Sequence, residues 1–140
     1  MGVAQVKSVQ LEGLRVFVND LIYHHDKSLL KESGKPHAFI YYITIRNLSD
    51  RTVVLKNRRW MITGPSRRTE IFDSPHIEGA SRTLAQGESF SYNSYHMTDG
   101  DTRASGVFRG EDLDGTPIWV SIPEIVMEVP FAARQMELGI

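Results

Sequence analysis

Between His37 and Asn47 the chain alternates strictly. Phe39, Tyr41, Ile43 and Ile45 fall on one parity, and Ile40, Tyr42, Thr44 and Arg46 on the other. Neighbouring side chains of an extended chain point to opposite faces, so this period of two specifies a strand and excludes a helix over the same residues. The first row is wholly apolar or aromatic and the second is half so, which is the pattern of a central strand. The same period recurs along the chain, and helical periodicity is nearly absent. The expectation is an all-β protein.

Leu14–Tyr23 reads as a first strand, with Val16 and Val18 opposed to Arg15, Phe17 and Asn19 until Asp20 breaks the phase. The polar stretch from His24 to His37, with Gly34-Lys35-Pro36, reads as a loop. Asn47-Leu48-Ser49-Asp50 turns the chain into Thr52–Lys56. Arg58–Ile62 and Arg67–Phe72 then form a hairpin about Thr63-Gly64-Pro65-Ser66. With Ile62 opposite Arg67, Arg59 would face Glu70 and Met61 would face Arg68, while Trp60 points into the core. Asp73–Ala85 reads as a long loop, Ser89–Ser94 and Ser105–Arg109 as strands, and Asp99-Gly100-Asp101 as a turn. Asp114-Gly115 is a strong hairpin signal leading into Ile118, Val120 and Ile122. Pro123 then interrupts the strand, and the apolar phase resumes at Ile125, Met127 and Val129, which calls for a bulge or an edge position. Beyond Pro130, residues 131–140 form a tail or a short helix.

Seven or more short strands punctuated by Gly, Pro and Asp-Gly fit two packed antiparallel sheets. A chain of 140 residues with 41% hydrophobic side chains supports one domain over residues 1–140, its core at about 14–130. At this size a fold buries about two-thirds of the surface of its unfolded chain, enough for a core without metal or disulfide staples. The chain contains no cysteine, which removes thiol nucleophiles, Cys-ligated zinc and iron–sulfur clusters from consideration.

The net charge of −1 gives no global pull toward nucleic acid or an anionic membrane. The halves differ, however: residues 1–70 carry a net of +6 and residues 71–140 a net of −7. The longest apolar run, Ala38–Ile43, is far short of the roughly 20 residues a membrane helix needs, and the first residues lack a signal-peptide pattern. A cytoplasmic location, with neither nucleic acid nor membrane as partner, is the expectation.

Catalytic and metal constellations are thin. His24-His25-Asp26 with His37 supplies imidazoles and a carboxylate, but no established ligand spacing accompanies them, and a solvated loop is the better account. Tyr95-His96 beside Ser94 lacks the context of a nucleophile elbow, and Glu111, Asp112 and Asp114 sit at a hairpin turn. No cofactor or catalytic residue is expected. The arginines at 58, 59, 67, 68 and 82 are the more informative set, because guanidinium forks bind phosphate bidentately. Arg67, Arg68 and Arg82, with Gly79, are the candidate anion-binding residues. The alternative is a solvated hairpin face in which Arg59 pairs with Glu70.

Three segments together resemble the ApaG family over about Leu14 to Pro130. Phe39–Asn47 is similar to that family's F-x-Y-x-(I/V)-x-I-x-N, Arg59-Trp60-Met61-Ile62-Thr63 to its R-x-W-x-I-T, and Leu84–Tyr92 to its L-x-P-G-E-x-F-x-Y. Gly106-Val107-Phe108, Gly115-Thr116-Pro117-Ile118 and Ile122-Pro123 fall at the family's intervals. The resemblance implies an immunoglobulin/fibronectin-III-like antiparallel β-sandwich with no established catalytic activity. It also implies an association with cobalt resistance and magnesium efflux in bacteria, and a protein-interaction role for similar domains in eukaryotic F-box and polymerase-delta-interacting proteins. Family members carry a G-x-G-x-x-G loop suspected of nucleotide or pyrophosphate binding. Here the matching stretch is Ser74-Pro75-His76-Ile77-Glu78-Gly79, which keeps only the last glycine and places bulk where a phosphate cradle needs bare backbone. The expected function is therefore a non-enzymatic module that binds a protein partner, with nucleotide or pyrophosphate binding as the alternative. The places to look for a partner are the His24–His37 and Asp73–Ala85 loops and any exposed edge strand, which can also pair two copies into a homodimer.

Overall fold

A computed structural model describes residues 8–77 and 80–138. Nine strands and two short helices run in the order β1 (Val9–Gln10), β2 (Leu14–His25), α1 (Lys27–Ser33), β3 (His37–Asn47), β4 (Val53–Thr63), β5 (Thr69–Ser74), β6 (Arg82–Leu84), β7 (Ser89–Thr98), β8 (Thr102–Asp112), β9 (Pro117–Met127) and α2 (Phe131–Leu138). They form two packed sheets, an all-β sandwich. The larger sheet has the order β1-β9-β8-β4-β5, with β6 also on β4, and the smaller has β2-β3-β7. All pairings are antiparallel except that of the two-residue β1 with β9.

The alternating row of β3 is the centre of the core. Phe39, Tyr41, Ile43 and Ile45 are buried between the sheets, against Val53, Leu55, Trp60, Phe108 and the apolar row of β9. β9 follows the phase change at Pro123 by a bulge: Gly106 pairs with Ile122 and Ala104 with Ile125, so one extra residue enters β9 and both apolar rows face inward. A second bulge corrects the reading of β4. Thr52–Lys56 and Arg58–Ile62 are one strand, because the register shift between Leu55 and Asn57 absorbs the parity change from Val53 and Leu55 to Trp60.

The stretch from His24 to His37 is not a plain loop. β2 runs on to His25, and α1 follows, its N-cap Asp26 accepting a hydrogen bond from the Ser28 amide at 2.9 Å. Gly34 at φ 74° ends the helix, its N–H reaching the Leu30 carbonyl at 2.8 Å. Two turns that bury no residue carry no apolar period, so pattern alone could not find them.

The β4–β5 hairpin also departs from expectation. Ile62 pairs with Glu70, Met61 with Ile71 and Arg59 with Asp73, a shift of three from the expected register. The connection is the five residues Gly64–Arg68, with Arg67 in the left-handed region at φ 61°. Residues other than Gly rarely adopt that conformation, so the turn signal at Gly64-Pro65 pointed to a shorter loop. Trp60 is buried, as its position on the alternating face requires. Within Asp73–Ala85, β5 extends to Ser74, β6 pairs with Val53–Leu55, and Ile77 is inserted fully into the core. The expected strands at Ser89–Ser94 and Ser105–Arg109 are likewise longer, as β7 and β8. Residues 131–138 take the helical alternative, docked by buried Ala133 and an Arg134–Asp101 ion pair. No helix among the described residues is long and apolar enough to cross a membrane.

Candidate functional site

The two sheets differ in width, and this creates a concave site between them. Contacts of Trp60 with Tyr41 and His96, and of Tyr92 with Phe108, place β7 over β4 and β8. β5 therefore overhangs the smaller sheet. Phe72, the cross-strand partner of buried Trp60, lies on the same inward face yet is 47% exposed.

Below this overhang lies a groove of about 480 Å³. Its floor is aromatic: Tyr41 and Trp60 approach at 5.3 Å between ring centroids, and His96 lies 4.9 Å from both, edge-on to Trp60. Neither the Trp60 Nε1 nor the His96 Nε2 atom, both buried, has a hydrogen-bond partner among the described residues. Phe72 forms one wall and Tyr95, 62% exposed, the other. Lys35, Arg58 and Asp73 supply charge at the rim.

Burial, and after it the charge of Arg58, pushes the imidazole of His96 down to about 4. His96 is therefore neutral at pH 7 and serves the floor as an aromatic ring. Because the folded state holds this proton less tightly than the unfolded state, stability falls as pH drops from about 6.5 toward 4. The loss from this group approaches about 3 kcal/mol once the pH is below the folded value. Urea titrations of native protein and of His96→Phe between pH 7 and 4 should show a shallower acid loss in the variant. Equal slopes would refute the assignment.

The sequence-predicted anion residues are not gathered into one place. Arg67 and Arg68 are exposed at the tip of the β4–β5 hairpin. Arg68 lines a smaller cavity of about 270 Å³ next to the groove with Lys35, Glu70 and Asp99, whereas Arg67 lines a separate cleft with Arg103, Asp101 and Glu128. Arg82 lies on β6 opposite Leu55, with its guanidinium 4.1 Å from the centroid of the Phe90 ring. Leu55 and Thr63 are eight positions apart on β4, roughly 26 Å at ~3.3 Å per residue. Gly79 lies outside the described residues.

Arg59 pairs with Asp73, not Glu70, through hydrogen bonds of 2.7 and 3.0 Å, and Arg109 approaches the same carboxylate at 3.8 Å. The Arg59 hydrogen bond holds the Asp73 carboxyl below its usual range. Asp73 is thereby committed to the outer face of β4–β5.

The imidazoles flagged in the sequence have structural work. His37 is fully buried with Nδ1 2.6 Å from the Tyr23 hydroxyl, and its ring lies 5.3 Å from that of His25. Asp26 caps α1, and its Oδ2 is 3.9 Å from His24 Nε2. Among the described residues no group of three or more His, Asp or Glu could hold a metal ion.

The groove was missed in the sequence because it arises from the offset between sheets. Trp60 and Phe72 read individually as strand residues and Tyr95 falls just past the expected strand Ser89–Ser94, and only the pairing register assigns Phe72 to the inner face. The one available signal was the Ser94-Tyr95-His96 run, which ends a strand with a polar–aromatic mixture.

The family model described as the ApaG domain matches residues 27–111. Among curated relatives, Protein ApaG of Brucella anthropi is 32% identical over 128 residues, spanning 89% of this chain and 94% of the relative. Protein ApaG of Methylocella silvestris is 33% identical over 95 residues, covering 67% of this chain and 73% of its own. The crystal structure of the ApaA protein of Bordetella pertussis superimposes with a TM-score of 0.68 at 22% identity, covering 88% of this chain and 98% of that one. None of these names states an activity.

Proposed function

This chain belongs to the ApaG domain family, and from that premise we propose that it is a non-enzymatic binding module whose ligand is another protein. The observation that supports this reading is the overhang groove, where large aromatic side chains with basic neighbours line a wall that none of the described residues covers. Trp, Tyr and Arg in a partly enclosed pocket are the residue types that carry most binding energy at protein interfaces. In this reading the family's association with cobalt and magnesium is indirect and runs through the partner. The alternative, nucleotide or pyrophosphate binding by Arg67, Arg68, Gly79 and Arg82, has less support, because one small anion does not reach both ends of β4.

Affinity capture from the native host under mild conditions tests the proposal. Native protein and Arg67→Glu are expected to retain the same partner, and Phe72→Asp to lose it, while calorimetry with ATP, GTP or pyrophosphate, with and without magnesium, gives no heat. Retention by Phe72→Asp with loss by Arg67→Glu would move the site to the hairpin tip. Heat of binding for an anion would favour the alternative.

A further inference from the structure

The lining of the groove says more about what fits it. Four consecutive residues of β7, Ser94, Tyr95, His96 and Met97, all contribute. Side chains of a strand alternate between faces, so four in a row can line one space only if the backbone edge of the strand faces it. β7 is hydrogen-bonded to β3 on one side and to no other strand among the described residues. Across the groove, Phe72, Asp73 and Ser74 are also consecutive, and β5 is likewise bonded on one side only, to β4. The groove thus lies between two edge strands, with the free edge of β7 beside it and the uncovered inner face of β4–β5 above it. A fourth strand added to β2-β3-β7 would cover that face.

Charge narrows the occupant further. Lys35 and Arg58 line this space with two basic side chains; neither has an ion pair among the described residues, and Arg58 reaches the Tyr92 hydroxyl at 3.4 Å with its guanidinium 5.8 Å from the centroid of that ring. The one carboxylate in the lining, Asp73, is held by Arg59. Resting on the protein-binding reading above, we infer that the groove takes one extended strand of a partner protein, paired along Ser94–Met97, presenting a large apolar side chain to Trp60 and Phe72 and a carboxylate to Lys35 and Arg58. Backbone pairing supplies adhesion, and the alternate side chains supply selection.

A library of random twelve-residue peptides panned against the whole chain, with Phe72→Asp as counter-selection, tests this. Enriched sequences are expected to carry Asp or Glu two residues from a Phe, Leu, Ile or Trp, both on the face turned to the groove, because Arg58 and Trp60 share the inner face of β4. The consensus peptide should bind Lys35→Glu at least tenfold more weakly, and exchanging its acidic residues for lysine should restore binding to that variant. Bound peptide should slow hydrogen exchange at the amides of 94–97. Lys35→Gln, which changes one half-exposed side chain, replaces Lys35→Glu if the latter melts early. No enrichment, enrichment of basic peptides, affinity indifferent to residue 35, or protection elsewhere would overturn the inference, as would light scattering that shows a second copy filling the groove. Capture of a host partner that Phe72→Asp abolishes, alongside any of those results, leaves the protein-binding module standing and removes only the added strand.

Discussion

Gly110→Ala is expected to cost about 4 kcal/mol or more and to lower the melting temperature by about 10–15 °C. Gly110 lies in β8 opposite Leu55, beside the β4 bulge, where the two backbones approach closely. A Cβ there would be 1.9 Å from the Val54 carbonyl oxygen and 2.9 Å from the Leu55 Cα. Both are backbone atoms, so no rotamer change relieves the clash. Nor can the strand retreat, because Val54 and Leu55 are also paired with Thr83 and Arg82 of β6 on the other side. Overpacking in a core ordinarily costs about 1–3 kcal/mol, where side chains can shift; here the strand pairing itself must open. Gly115→Ala is the informative control. Gly115 has a positive φ of 80° but meets nothing within 4 Å, so it should cost only about 1 kcal/mol. Thermal melts of the two variants decide the matter: if Gly110→Ala melts with native protein or with Gly115→Ala, the close approach is not a constraint.

The same residue illustrates what the sequence could disclose. Alternation located the core strands, and the Phe39–Ile45 row, Trp60 and the bulge at Pro123 all lie where that pattern requires, because burial of one strand face is a local property of the chain. Bulges and close approaches are relations between strands. The β4 bulge changed parity at Lys56 and made one strand look like two, and Gly110, within a strand, read as its end. The hairpin register failed for a related reason, since Arg67 at φ 61° lengthens a loop that composition alone would make shorter. The candidate site was less legible than the fold. The groove needs the three-strand sheet to stop at β7 while the other continues to β5, a global offset that no residue type encodes. Arg82 looked like a companion of Arg67 and Arg68 in a list of basic residues, and strand pairing carried it to the other end of β4.

Asn47 is the polar counterpart of Gly110. Read in the sequence as the first residue of a turn, it is fully buried at the end of β3 and joins four segments through its side chain and backbone. Its Nδ2 donates to the carbonyls of Arg51 and Leu84, both at 2.8 Å, and its Oδ1 accepts from the Ser49 amide at 3.0 Å and the Ser49 hydroxyl at 2.6 Å. Its own amide donates to Glu88 and its carbonyl accepts from Gly87. The turn after β3, the start of β4 and the end of β6 are thus tied at one side-chain amide, and the approach to β7 at the backbone of the same residue. Asn47→Ala keeps the backbone bonds to Gly87 and Glu88 but removes the side-chain bonds to Ser49, Arg51 and Leu84; at about 1–3 kcal/mol for each buried partner left unsatisfied, the expected total is about 4 kcal/mol. Asn47→Asp separates hydrogen bonding from shape. It keeps the acceptor facing Ser49 but sets an oxygen against two carbonyls, so at pH 7 it should be at least as harmful as alanine. Protonation of the new carboxyl restores one donor, which raises its folded-state pKa; the penalty should therefore shrink as pH falls toward 4, relative to native protein at each pH. Urea denaturation of both variants at pH 7 and 5 measures this directly. An Asn47→Ala protein within about 1 kcal/mol of native, or an Asn47→Asp protein whose deficit does not change with pH, would show that the junction is held by something other than this amide.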